Sequence, residues 1–481
     1  MFKRIFLLLT GALLVLIAVL LFNTFQFKSK QLDVEAVAAP EFSPTSLQHL
    51  QEAIRYKTIS YDDPKLFDSI QFLNFHKYLE ATYPKVHANL THETVAGYSL
   101  LYKWNGRNAS LKPIILMAHQ DVVPIEEATQ TMWSVDPFGG EMKDGFVWGR
   151  GTADDKINVI SIFESAEKLL SENFQPERTI YFAFGHDEET GGKGAIATAA
   201  LLKSRNITAD LILDEGGIVT KDKIPGMTKP AALIGTSEKG YLSLQLTAEK
   251  NGGHSSMPEA ETSIDILSKA IIRLRENPFD PRFSESTQGF MEHIGPEMPS
   301  FQKIIFANRW LFEGVIIGIY EKTGGGNAIV RTTVAPTIIN AGMKDNVIPT
   351  ISKAIINFRL LPGDNSQQVI NRVKTTINDE RIKVEIHGGF IGEPTGVTSE
   401  NSFAYKKVDE ITKRTFANTI TTPFLMIGGT DSRHYGEVSE GIIKFSPMTD
   451  PIGFHGINER VSLDAYKTTL WFYEQLLRNT Q

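Results

Sequence analysis

The chain reads as an α/β protein: a doubly wound domain, interrupted by an inserted α+β (ferredoxin-like) domain and preceded by an N-terminal membrane-targeting helix. Three observations predict this. Apolar runs at 114–118, 180–184 and 211–213 each stop on ionisable side chains: His119 and Asp121, then Glu188 and Glu189, then Asp214. Buried parallel strands read as such runs, and open α/β sheets gather ligand sites at the carboxyl ends of their strands. Strand-like and helix-like patterns alternate to about Gly235, the order of a sheet with crossover helices. At Tyr241 the pattern changes, because Leu242, Leu244 and Leu246 alternate with Ser243, Gln245 and Thr247, as in a strand with one buried face.

The first element is a targeting segment. After Lys3 and Arg4, residues 5–22 carry no charged side chain, close to the roughly 20 residues that cross a bilayer as a helix. Residues 1–30 therefore read as a transmembrane anchor or signal segment. Ala36-Val37-Ala38 resembles a cleavage site, but it lies far beyond an apolar stretch longer than the usual ~7 to 15 residues of a signal peptide. An uncleaved anchor with the catalytic part outside the cytoplasm is the favoured expectation; a secreted or periplasmic protein is the alternative. Lys28 and Lys30 nearly balance Lys3 and Arg4, so charge sets orientation only weakly.

Residues 31–45, with Pro40 and Pro44, form a tether. Residues 46–240 are the first part of the catalytic domain, with amphipathic helices marked by Leu47, Leu50 and Ile54 and by Val159, Phe163, Ala166 and Leu170. Residues 241–392 are the inserted lid or dimerisation-type domain, in the order strand, helix, strand, strand, helix, strand. Ile264, Leu267, Ile271 and Leu274 share one helix face; Val369, Val373 and Ile377 share the other. The span 278–330, aromatic and glycine-rich at Gly324-Gly325-Gly326, fits no element of that order. Residues 393–481 return to complete the catalytic domain.

A hydrophobic fraction of 42% and a charged fraction of 22% are those of an ordinary globular protein, and a net charge of -7 gives no electrostatic reason to bind nucleic acid. No nucleic-acid partner is expected. The chain has no cysteine, which rules out disulfides, thiol catalysis and thiolate metal sites. Imidazole with several carboxylates is then the ligand set of a hydrolytic zinc centre rather than a structural zinc clip.

Within His119-x-Asp121, the imidazole suits a metal and Asp121 suits the hydrogen bond that orients it; a histidine satisfied beside a turn is the rival reading. Asp154, in Gly151-Thr152-Ala153-Asp154-Asp155-Lys156, has the position of a helix cap. Adjacent carboxylates at Glu188 and Glu189 can divide their labour, one binding metal and the other taking a proton from activated water. A solvated acidic turn is the alternative for that pair.

Taken together, His119-x-Asp121, Gly151-x-x-Asp154-x-Lys156, Glu188-Glu189, Asp214-Glu215-Gly216 and His455-Gly456-Ile457-Asn458-Glu459 resemble the di-zinc carboxypeptidase and aminoacylase family, from about Ser46 to the C-terminus. The resemblance implies two Zn(2+) per chain. Asp154 would bridge them, His119 and Asp214 would complete one site, and Glu189 and His455 the other. It also implies that Glu188 is the general base and that the Asp154-Asp155 peptide bond is cis. His254 looks like the family histidine that approaches the scissile carbonyl, often from a partner's insert. Asn346 and Arg359 match substrate-binding positions, Arg359 as a fork for a substrate carboxylate. His434 competes with His455 for the last ligand position; the Gly-Ile-Asn-Glu that follows favours His455 and leaves His434 a substrate contact.

The resemblance is greatest to the carboxypeptidase S and N-acyl-amino-acid hydrolase branch. It implies a zinc metallocarboxypeptidase or amidohydrolase that cleaves an amide next to a free carboxylate, releasing a C-terminal amino acid from a short peptide. An N-acyl-amino-acid hydrolase is the alternative. A non-catalytic receptor on the same fold is a reading of another class, and it predicts the loss of a ligand or of the base. Membrane contact through the N-terminal helix and a homodimer through the inserted domain complete the expected partners.

Overall fold

In the computed structural model, which describes residues 1–480, a mixed eight-stranded sheet forms the centre. Its spatial order is Thr91–Val95, Ser99–Trp104, Ile180–Gly185, Ile114–His119, Leu211–Thr220, Ile442–Thr449, Ala231–Glu238 and Ile420–Met426. The strand Ile114–His119 runs parallel to both neighbours, and Leu211–Thr220 is parallel to Ile442–Thr449. Ser99–Trp104 and Thr91–Val95 extend one edge in antiparallel fashion. All six residues of Ile114–His119 and of Ile180–Gly185 are buried. That follows from helices on both faces: one core joins Ile114, Leu116 and Phe182 to Ile160, Phe163 and Phe472, and the other joins Ile115, Met117 and Tyr181 to Ala195, Ala199 and Leu202.

Parallel pairing brings His119 level with Gly185, so the strand ends that carry the predicted ligands meet at one edge. The strand Leu211–Thr220 does not end at Asp214 but continues for six residues. Its register with Ile442–Thr449 jumps from Asp214↔Lys444 to Gly217↔Phe445, which leaves Glu215 and Gly216 as a bulge. Gly216 has φ +135, a conformation that a side chain would strain.

The second sheet is antiparallel, in the order Thr333–Ala341, Ile351–Leu360, Gly240–Glu249, Ile382–Gly392. Helices Ser263–Glu276 and Ser366–Ile377 cover one face, and each starts in a reciprocal cap, Thr262 with Asp265 and Asn365 with Gln368. Leu242, Leu244, Leu246, Ile356 and Phe358 pack there with Ile266, Leu267, Val369 and Val373. Ser243 and Thr247, expected on an open face, are buried as well, because Gly240–Glu249 lies between two strands instead of at an edge. Residues 278–330 fold mainly as helices, Glu285–Ile294, Ser300–Ala307, Arg309–Tyr320 and Gly324–Val330. The tether is irregular yet held: Val37 donates its N–H to the Arg414 carbonyl at 2.8 Å, and Gln31 Nε2 donates to the Thr421 carbonyl at 2.9 Å.

Candidate metal centre

Asp154 lies just before the helix Lys156–Ser171 and makes no capping bond to it. Its side chain instead lies between two imidazoles, with Oδ1 2.8 Å from His119 Nε2 and Oδ2 2.8 Å from His455 Nε2. Glu189 Oε2 is 3.3 Å from His455 Nε2. His119, Asp154 and Glu189 each offer a ligand atom within 4.8 Å of the others, and so do His119, Asp155 and Glu215. The Asp154-Asp155 peptide bond is cis.

Asp121 ties this cluster together. It accepts the backbone N–H of Glu188 on Oδ1 and of Glu189 on Oδ2, each at 3.2 Å, and the Ser60 hydroxyl on Oδ2 at 2.6 Å. Its Oδ1 is 3.3 Å from His119 Nδ1, whose other close neighbour is the Asp121 carbonyl at 2.9 Å. Strand end and glutamate turn are thereby fixed to each other.

Asp214, the sequence's choice of ligand beside His119, turns elsewhere: its Oδ2 accepts the backbone N–H of Ser432 at 2.8 Å, and it joins neither group of ligand atoms. Glu215 occupies that position, with Oε1 3.5 Å from His119 Nε2. The bulge at Glu215 and Gly216 breaks the strand's regular alternation and accounts for the exchange.

The electrostatics are those of a site short of positive charge. Burial opposes a charge on His119, yet Glu215, Asp121 and Asp154 hold its imidazole well above the usual histidine range. Burial, reinforced by Glu215, Asp431 and Glu189, holds the Glu188 carboxyl well above its usual value. Hydrogen bonding to Asp154 and Glu189 raises His455 to about 10. Glu189 Oε1 and Asp431 Oδ2 are buried without a hydrogen-bond partner. Unpaired buried carboxylate oxygens are costly, and an oxygen- and nitrogen-lined cluster of this composition fits zinc.

Sequence reasoning missed two supporting acids. Glu459 accepts the backbone N–H of Gly151 and of Ala153 on Oε1, both at 2.9 Å, and Arg150 Nη1 donates to Oε2 at 2.5 Å. Arg150 Nη2 also donates to the carbonyls of His455 and Gly456, so this pair joins the loop of Asp154 to that of His455. Asp431 is the other. The Cβ that Gly192 lacks would lie 2.2 Å from Asp431 Oδ1, so the glycine after the glutamate turn admits this acid. The only sequence signals were the place of Glu459 at the end of the His455 segment and that of Asp431 three residues before His434.

Of the substrate-binding candidates, Arg359 stacks on Tyr241, 4.8 Å from its ring centre, and no carboxylate pairs with it among the described residues. Burial lowers the Lys239 ammonium to about 7, and the charge of Arg359 adds to this; burial and, after it, the charge of Arg433 lower the Arg359 guanidinium in turn. His434 lines a cavity of about 610 Å³ with Phe390, Gly392, Arg433 and Lys444. Its Nε2 is 3.4 Å from the Cβ position of Gly192, so the cavity adjoins the glutamate turn. His254 and Asn346 lie together on an exposed edge: His254 pairs with Val347, and Ser255 donates its N–H to the Asn346 carbonyl at 3.2 Å. No hydrogen bond links either to the metal cluster among the described residues.

Comparison with known proteins accords with this geometry. The sequence profile described as Peptidase family M20/M25/M40 matches residues 115–479. The probable carboxypeptidase S-like 2 of Dictyostelium discoideum is 40% identical over 100% of this chain and 95% of its own. The N-fatty-acyl-amino acid synthase/hydrolase PM20D1 of Homo sapiens is 38% identical over 89% of this chain and 86% of its own. Among solved structures, the M20 family metallo-carboxypeptidase Sso-CP2 from Sulfolobus solfataricus superposes with a TM-score of 0.68 at 18% identity, covering 90% of this chain and 99% of that one, a likeness of fold. The chain thus belongs to peptidase family M20/M25/M40 and is a zinc-dependent hydrolase.

Proposed function

We propose that this enzyme cleaves an amide bond next to a free carboxylate, with two Zn(2+) held by Asp154 as the shared ligand, His119 and Glu215 on one side, and Glu189 and His455 on the other. The observation that carries this reading is Asp154, whose two carboxylate oxygens meet two imidazoles at 2.8 Å each. Zinc in such a site supplies Lewis-acid chemistry, polarising the carbonyl and bringing water towards a pKa of about 7.

The chain's residues do the rest. Glu188 takes the proton of the attacking water on its carboxylate and passes it to the departing amine nitrogen. Asp121 holds the His119 ring and both glutamate N–H groups in register. Arg359, with Lys239 and Arg433 close by, receives the substrate carboxylate, and this cation, without an anionic partner among the described residues, is what favours a free terminus. His254 donates to the developing oxyanion from an insert that also forms a homodimer contact; the exposed Ile338 and Ile339 of the edge strand Thr333–Ala341 suit that contact. Release of a C-terminal amino acid from a short peptide is the main activity. Hydrolysis of an N-acyl amino acid is the second, favoured by the identity shared with the human N-fatty-acyl-amino acid synthase/hydrolase. The helix Phe2–Gln26, of which no residue is buried, anchors the enzyme with its catalytic part outside the cytoplasm.

Glu188→Gln tests the central claim. The variant is expected to keep its zinc and to lose hydrolysis of dipeptides and N-acyl amino acids by about 10²- to 10⁴-fold. Near-normal turnover would remove Glu188 as the base.

A further inference from the structure

The helices Ser300–Ala307 and Arg309–Tyr320 bury only Ile316 between them, although their sequences are largely apolar. Leu311, Val315 and Ile319 recur every fourth residue and so share one helix face; all three are exposed, as are Trp310 (61%) and Phe301 (75%). Soluble monomers seldom leave a contiguous apolar face of this kind open.

This face is fixed to the N-terminal helix. Asn308, buried where the two helices meet, donates from Nδ2 to the Leu20 carbonyl at 3.1 Å, and its Oδ1 accepts from Asn23 Nδ2 at 2.9 Å. Leu20 and Asn23 lie in the last two turns of the helix Phe2–Gln26. Just beyond that helix, Lys30 and Arg309 both pair with Glu292, at 2.8 and 2.9 Å. A bilayer that surrounds Phe2–Gln26 has its headgroup region at this level, where amphipathic helices lie flat and tryptophan is enriched.

We propose that Ser300–Ala307 and Arg309–Tyr320 form a second membrane contact, with Phe301, Trp310, Leu311, Val315 and Ile319 turned into the lipid. The proposal rests on the anchor reading given above. Lipid is the occupant because the face is hydrogen-bonded to a helix of bilayer length, so the bilayer around that helix reaches the face as well. The segment continues into Gly324–Val330, and the carbonyls of Ala328 and Arg331 accept from Lys239 Nζ at 2.8 and 2.7 Å. Lys239, the lysine beside Arg359, is thereby tied to the membrane-facing segment.

Trp310 is the reporter: of the five tryptophans, Trp104, Trp133, Trp148 and Trp471 are at most 9% exposed. Full-length protein is reconstituted into phosphatidylcholine vesicles with brominated or ordinary acyl chains. Brominated chains are expected to quench part of the emission, and Trp310→Phe to abolish that lipid-dependent part while the protein still floats with the vesicles. Flotation without bromine quenching, or quenching that persists in Trp310→Phe, overturns the second contact and leaves the anchor standing. Full-length protein that does not float with vesicles overturns both.

Discussion

Asp121 accepts the backbone N–H of Glu189 through Oδ2 at 3.2 Å, and this bond couples the end of the His119 strand to the turn that carries both glutamates. Asp121→Asn places an amide where two backbone donors converge, so at least one contact becomes unfavourable. Zinc affinity or kcat is expected to fall about 10- to 100-fold. Competition with a chelator, alongside steady-state kinetics, measures both. Unchanged values in both would show that Asp121 does not orient the site.

Glu215 and Asp214 are neighbours with different surroundings, one 3.5 Å from His119 Nε2 and the other holding the N–H of Ser432 at 2.8 Å. Glu215→Gln is expected to lose about one zinc equivalent of the two proposed, and Asp214→Asn to retain both, since only the first removes an anionic oxygen from the ligand group. Metal analysis of the two purified variants decides. The reverse pattern would return the ligand role to Asp214.

Arg359 stacks on Tyr241 and has no anionic partner among the described residues. Arg359→Ala is expected to lower kcat/KM by about 10- to 100-fold on substrates with a free terminal carboxylate, as for the loss of a hydrogen bond to a charged group of about 1.5–3 kcal/mol. On the corresponding terminal amides it should change little. Equal losses on both would leave Arg359 a purely structural residue.

Lys156 is fully buried and donates from Nζ to the carbonyls of Ala53, at 3.0 Å, and Tyr56. Burial lowers its ammonium to about 7 from 10.5. Between these values the unfolded chain binds the extra proton, so this group makes stability rise with pH across that window, by up to about 1.4 kcal/mol per pH unit. Lys156→Met removes this rise, so the stability of wild type relative to the variant, read from denaturant midpoints, is expected to grow between pH 7 and pH 10. A constant difference across the window would mean that Lys156 is charged in the folded state.

Much of this architecture was legible in local pattern. The buried strands announced themselves as uninterrupted apolar runs, and their ends pointed to His119 and the two glutamates. The helices of the second sheet unit showed in the spacing of Leu267 and Leu274 and of Val369 and Val373. What stayed hidden depends on distant pairing. Ser243 and Thr247 alternate like residues of an open face, and only the strands on both sides of them bury them. The bulge that exchanges Glu215 for Asp214 exists only in register with Lys444 and Phe445. The helices between 300 and 320 broke the expected order of the insert, because most of their apolar residues, Ile316 and Phe306 apart, lie outside any interior core.

Glu459 holds Gly151 and Ala153 from 308 and 306 positions away in the sequence. Translation therefore delivers the clasp long after the loop it holds. Until residues 455–459 have been made and have emerged, the Asp154 loop has neither this acid nor His455 to shape it. Hydrolytic competence has to wait for both residues, which keeps a shorter nascent chain harmless to the peptides around it. Ribosome-stalled chains ending near residue 450 should accordingly be inert towards any dipeptide that the released enzyme cleaves.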